Sequence, residues 1–286
     1  MVKIQIQSDL HLEAPKTYDI FEIVPKAPYL ALLGDIGCLA KDYDQYTQFL
    51  LAQLRNFKAV LLALGNHEPY HSSWEEAKAS MAKFQEEVAS RKQAGEQLGT
   101  FVLLDQTRFD IDDDEEGDED GGVTILGCTF YSHVPPKARK DVGLRLNDFN
   151  YIEDWGLDEH NGAHASDLAW LNAEITALEA PSSGSGSAMA PKPRRIAVLT
   201  HYCPTPDARA QDPRHAGSPI LPGFATDLGG EACWESGAVR LWAFGHTHYN
   251  CDFVDEERHG KRIYTNQRGY SFSQSPGFDG TAVVEV

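Results

Sequence analysis

The feature that most constrains this chain is a set of short apolar runs, each ending at a polar residue or a glycine. Residues 29–33 (YLALL), 59–64 (AVLLAL), 195–199 (RIAVL) and 239–244 (VRLWAF) are five or six residues long. A strand with one wet face alternates apolar and polar side chains. These runs do not, so both of their faces must be covered, as in parallel sheets flanked by helices. Residues 2–7 differ: Val2, Ile4 and Ile6 alternate with Lys3, Gln5 and Gln7, which predicts a strand buried on one face.

Helical periodicity fills the gaps. Residues 42–57 carry the stripe Tyr46, Phe49, Leu50, Leu54 and Phe57, with Asp42 and Gln45 placed as a capping box. Residues 73–94 carry Trp74, Ala77, Met81, Phe84 and Val88, with Ser73 and Glu76 at cap spacing, and residues 166–178 carry Leu168, Leu171, Ile175 and Leu178. Further strands are expected at 100–104, 123–128, 262–265 and 281–286, the last two as antiparallel neighbours. The alternation in each half predicts a four-layered α/β/β/α sandwich: two packed mixed sheets with flanking helices. We expect residues 1–286 to form one domain carrying two flexible insertions. One is 112–122, where residues 112–120 are acidic at eight of nine positions. The other is 181–193 (PSSGSGSAMAPKP).

The net charge of -18 disfavours nucleic acid and anionic membranes as partners, and no apolar run reaches the roughly 18 residues of a membrane span. Five cysteines without paired spacing and no signal peptide lead us to expect a soluble, cytoplasmic chain. No protein partner is legible.

Five clusters, each at or just after the end of an expected strand, carry hard or borderline metal ligands. They are Asp9-Leu10-His11, Gly34-Asp35, Gly65-Asn66-His67-Glu68, Thr200-His201-Tyr202 and Gly245-His246-Thr247-His248. In extended chain, residues two apart point to one side, so Asp9 with His11, and His246 with His248, are each expected to reach one point. A glycine before Asp35, Asn66 and His246 allows close backbone approach. Ligands at the carboxyl ends of several strands converge in one crevice, and a carboxylate, imidazole and amide set suits manganese, iron or zinc better than calcium.

Taken together and in this order, the clusters resemble the calcineurin-like metallophosphoesterases, whose signature runs DxH, GD, GNHE, H and GHxH. The resemblance extends from Asp9 to His248 with no signature ligand missing. It implies two divalent ions (Mn, Fe or Zn). Asp9, His11 and His248 would hold the first, Asn66, His201 and His246 the second, and Asp35 would bridge both. His67 would be the catalytic residue, stabilising the phosphoryl oxygens or protonating the leaving group. A hydroxide bridging the metals would attack phosphorus in line. Many relatives follow GD with a second Asp and an Arg. Here Gly34-Asp35 is followed by Ile36-Gly37-Cys38, which weakens the protein-phosphatase reading and favours a phosphodiesterase on a small soluble substrate such as a cyclic nucleotide. Phosphomonoesterase or protein phosphatase is the alternative, and a non-catalytic metal-binding scaffold is the rival from another class. Substrate contacts are expected from Asn66 and sought at His71, His215, Arg268 and Arg145, with the Pro-rich loop 203–224 as a cleft wall. His133, His160, His164 and His259 read as surface residues.

Overall fold

The computed structural model describes residues 1–112, 122–180 and 194–286. The two expected insertions fall almost wholly outside them. Thirteen described strands are β1 (Lys3–Gln7), β2 (Tyr29–Leu33), β3 (Ala59–Ala63), β4 (Thr100–Leu103), β5 (Thr107–Ile111), β6 (Val123–Cys128), β7 (Arg195–Thr200), β8 (Val239–Phe244), β9 (Asp252–Asp255), β10 (Lys261–Thr265), β11 (Gly269–Tyr270), β12 (Ser273–Gln274) and β13 (Val283–Glu285). The α-helices are α1 (Leu39–Leu54), α2 (Trp74–Gln93), α3 (Arg139–Arg145), α4 (Asp148–Tyr151), α5 (Leu157–Glu179) and α6 (Ala232–Glu235).

One sheet runs β13-β1-β2-β3-β4 and the other β5-β6-β7-β8-β10-β9. Both are mixed. The central strands are parallel, β13 is antiparallel to β1, and β5 and β9 are antiparallel to their neighbours. The uninterrupted apolar runs are explained by what lies on each side. Leu30 and Leu32 of β2 pack against α1 and α2, while Ala31 and Leu33 face the second sheet. On β7, Ala197 and Leu199 face the first sheet while Ile196 and Val198 pack beneath α5. Helices therefore cover the outer faces and a shared core fills the middle, which is the expected sandwich. Among the described residues no helix is long and apolar enough to cross a membrane.

Several local expectations are corrected. Gln5 and Gln7 are buried rather than wet, because their amides donate to Gly280 O at 2.7 and 3.0 Å beneath the C-terminal segment. The last strand does not pair with β10; it closes the other sheet beside β1. Helix α1 begins at Leu39, and Asp42 sits at a kink inside it rather than capping its start. Ser73 does cap α2, accepting from Glu76 N at 3.2 Å. Helix α5 starts nine residues earlier than its apolar stripe indicates. Its first turns bury His160 and His164, which pair with Ser132 Oγ (3.2 Å) and Tyr131 O (2.5 Å), so neither is a surface residue.

Candidate metal centre

Parallel strands put their carboxyl ends on one edge, and the two sheets bring those edges together. The segment after β1 supplies Asp9 and His11. Asp35 follows β2, Asn66 and His67 follow β3, His201 follows β7, and His246 and His248 follow β8. Asp9 and His201 are fully buried, and His11, Asp35, Asn66 and His246 nearly so. The side chains do not converge by extended-strand alternation. Asp9, His11, Asp35, His246 and His248 all have φ between 45° and 67°, a left-handed backbone that non-glycine residues rarely adopt outside functional sites. One result is that His246 and His248 part company. His248 joins Asp9 and His11, whereas His246 joins Asp35 and His201.

Hydrogen bonds fix which atoms face the space between these groups. His201 Nδ1 donates to Leu33 O at 2.7 Å, so the ring turns Nε2 inward. That atom faces Asn66 Oδ1 at 3.1 Å and Asp35 Oδ1 at 3.5 Å, both of them acceptors. His11 Nδ1 bonds Glu13 Oε1 at 3.2 Å, so His11 Nε2 also points inward, 3.0 Å from His248 Nε2 and 3.9 Å from Asp35 Oδ2. His248 Nε2 lies 3.3 Å from Asp9 Oδ1, and His246 Nε2 is buried without a hydrogen-bond partner. Lone pairs aimed at one another in a buried space are costly unless a cation sits among them. The donor set therefore fits metal ions. Asp35 lies between the groups, with Oδ1 toward His201 and Oδ2 toward His11 and His67.

The turns are held by two buried carboxylates, Glu68 and Asp148. Glu68 accepts the backbone N–H of Asp35 (3.0 Å), Ile36 (2.8 Å) and Gly65 (2.7 Å), and the Tyr46 hydroxyl at 3.1 Å. Asp148 accepts Asn66 Nδ2 (2.9 Å), the Tyr70 hydroxyl (2.7 Å) and the Tyr202 hydroxyl (3.2 Å). Burial raises the Asp148 pKa, against the bonds from Tyr70 and Asn66. Gly34 has φ +85°, and a Cβ there would stand 2.5 Å from His201 Nδ1. His67 lies beside the cluster. Its Nδ1 bonds Glu13 Oε1 at 3.0 Å, and its Nε2 faces the Tyr270 hydroxyl at 3.3 Å and Asp35 Oδ2 at 3.9 Å. Burial opposes charge on this ring, but Asp35 and Glu13 prevail and raise its pKa to about 9.

A cleft of about 360 Å³ opens over these atoms. Asp35, Asn66, His67, His246 and His248 form its floor, and Leu146, Ile220, Leu221 and Phe224 give it an apolar wall. The loop 203–224 is thus a cleft wall, and His215 and Arg145 line the cleft. His71 does not; it is exposed on a left-handed turn, with its N–H bonded to Tyr151 O. Arg268 is also elsewhere. Its guanidinium bonds Leu10 O at 2.7 Å and lies over the Phe21 ring, so it braces the segment carrying Asp9 and His11. Glu13 could have been suspected from sequence, since it extends the spacing Asp9-x-His11-x-Glu13. Spacing alone could not pair Asp148 with Asn66, from which it is 82 residues distant.

The family model described as calcineurin-like phosphoesterase matches residues 2–250. Comparison with curated proteins gives no match. Among solved structures, a phosphopantetheinyl hydrolase from Mycobacterium tuberculosis aligns over 94% of this chain and 89% of its own, with TM-score 0.60 and 15% identity. A dimetal phosphatase from Danio rerio aligns over 94% and 88%, with TM-score 0.50 and 14% identity. At these identities the likeness is one of fold.

Proposed function

Since the chain belongs to the calcineurin-like phosphoesterases, and is on that ground a metal-dependent phosphoester hydrolase, we propose that it is a dinuclear phosphodiesterase for a small substrate. The observation that carries this reading is the pair of inward-facing lone-pair clusters with Asp35 between them. Asp9, His11 and His248 would hold one ion and Asn66, His201 and His246 the other, with Asp35 shared. Nitrogen and oxygen donors together favour manganese, iron or zinc. Bound there, the ions supply electrophilic activation of the phosphoryl group and of water.

The chain's own groups do the rest. The Asn66 amide nitrogen is held by Asp148 and Tyr70, which keeps its oxygen turned toward His201 and the metal side. His67 presents Nε2 to the cleft, where it gives a proton to the departing alkoxide. Leu146, Ile220, Leu221 and Phe224 take an organic group and exclude water from that side.

Charge favours a diester. Arg145 is the one arginine or lysine among the described residues lining the cleft, so little fixed positive charge is present to match the second negative charge of a monoester. The test is metal analysis of the purified protein, followed by hydrolysis of bis(p-nitrophenyl) phosphate and p-nitrophenyl phosphate with Mn²⁺, Fe²⁺ or Zn²⁺. Cyclic nucleotides and a phosphopantetheinyl ester complete the panel. We expect two ions per chain and a clear preference for the diesters. Preference for the monoester would replace the diesterase reading with a phosphomonoesterase. No activity and no bound metal would leave a scaffold.

A further inference from the structure

Glu13 lies outside both lone-pair clusters, yet it touches one member of the metal site and the neighbouring His67. A single oxygen, Oε1, lies 3.2 Å from His11 Nδ1 and 3.0 Å from His67 Nδ1. The two rings meet edge to face, with centroids 4.5 Å apart, and among the described residues neither Nδ1 has another hydrogen-bond partner. Glu13 itself is largely covered, its side chain 15% exposed, and Oε2 has no partner.

We propose that Glu13 is a positioning residue that aligns His11 for the metal and His67 for the substrate with one carboxylate. The inference rests on the phosphoesterase reading above. Accepting Nδ1–H from each ring fixes its tautomer and its rotation about χ2, and so sends each Nε2 into the site. His11 Nε2 then faces Asp35 and His248, and His67 Nε2 faces the cleft. A carboxylate behind a ligating imidazole also makes its outer nitrogen a better donor. In the chemical step His67 gives its Nε2 proton to the departing alkoxide and regains one from water, while Glu13 keeps the Nδ1 proton in place and transfers nothing. His11, Glu13 and His67 lie close enough together to be mistaken for a third metal site. They differ from the other clusters in that two ring donors meet one carboxylate oxygen, Oε1.

The arrangement makes a divided prediction. Metal alignment runs through His11, and proton delivery runs through His67. Glu13→Gln keeps the shape and removes the charge. In the full chain at saturating Mn²⁺, E13Q should lower kcat on bis(p-nitrophenyl) phosphate about 10-fold or more with KM little changed, and should weaken Mn²⁺ affinity about 10-fold. The loss should be larger for a diester with a basic alkoxide leaving group. In a His67→Ala background, the kcat effect of E13Q should largely disappear, within about 3-fold, while the affinity effect remains. An equal kcat loss with and without His67 overturns the link to His67. Unchanged Mn²⁺ affinity overturns the link to His11, and a wild type that binds three ions per chain with only two retained by E13Q would make the trio a metal site instead. Should E13Q not be recovered soluble, Glu13→Asp, which keeps the charge but withdraws Oε1 from both rings, is compared with and without His67 in the same way, with the same losses expected. A wild-type protein inactive on every ester refutes the function proposed above, whereas an active wild type matched by E13Q refutes this inference alone.

Discussion

Asn66 is held from behind by Asp148. Its amide nitrogen donates to the Asp148 carboxylate at 2.9 Å, which leaves its amide oxygen facing His201 Nε2 at 3.1 Å. Both ends of the amide are thereby assigned, and a flip would set the amide oxygen against the Asp148 carboxylate, two acceptors face to face. Asp148→Ala frees the amide and strands the Tyr70 and Tyr202 hydroxyls in a buried space. We expect a loss of about 10- to 100-fold in activity or metal affinity and about 1–3 kcal/mol of stability, read by turnover at saturating Mn²⁺ and by urea melts. Wild-type turnover in this variant would show that Asn66 keeps its orientation without help.

Asp35 offers one oxygen to each lone-pair cluster. Asp35→Asn should therefore deplete both ions together in elemental analysis of the purified protein. Loss of one ion with the other kept at full occupancy would contradict a shared ligand.

Gly34 and Gly95 both have φ above +80°, but Gly95 has open space where a Cβ would go, while at Gly34 the Cβ would meet His201 and the Gly65 backbone. Gly95→Ala should cost only the strain of a left-handed alanine, about 1–2 kcal/mol. Gly34→Ala should cost more than that and should lose metal. Equal stability and metal content in the two variants would mean that close approach at Gly34 is unimportant.

Acid should destabilise the fold through His160. Burial is the main cause that pushes its pKa down to about 3, against the bond to Ser132, from an ordinary value near 6.5. The folded pKa lies below the unfolded one, so between about pH 3 and 6.5 the unfolded chain binds more protons. The stabilisation is fully present above that window and is lost as pH falls through it, at up to about 1.4 kcal/mol per pH unit. His160→Gln should flatten the stability profile from pH 7 to 4.5 by that slope, measured by urea denaturation. An unchanged slope would assign the acid sensitivity to other groups.

The parts of the fold that could be read from sequence are those where one physical cause acts alone. Residues 59–64 lack alternation because both faces are covered, and no other arrangement of an apolar strand has that signature. The first turns of α5 were hidden because His160 and His164 are buried through hydrogen bonds rather than apolarity, so no stripe marks them. Gln5 and Gln7 were misjudged for the same reason. In the site, residues close in sequence to the β-strand ends were legible. The route by which they converge was not, because a left-handed backbone at Asp9 or His248 leaves no trace in residue type. Arg268 shows the opposite error: a charge near the site in sequence that is occupied in bracing the chain.

Glu68 takes backbone N–H groups from the turn after β2 and from the turn after β3 on one carboxylate. Those turns carry Asp35 on one side and Asn66 and His67 on the other. They are consequently a single mechanical unit, and neither can shift without dragging its neighbour. The apolar bank, where Ile220, Leu221 and Phe224 stand, is tied separately, by short turns of its own. The metal-facing floor of the cleft is thus one rigid piece, and a substitution in either turn is felt by the ligands on the other.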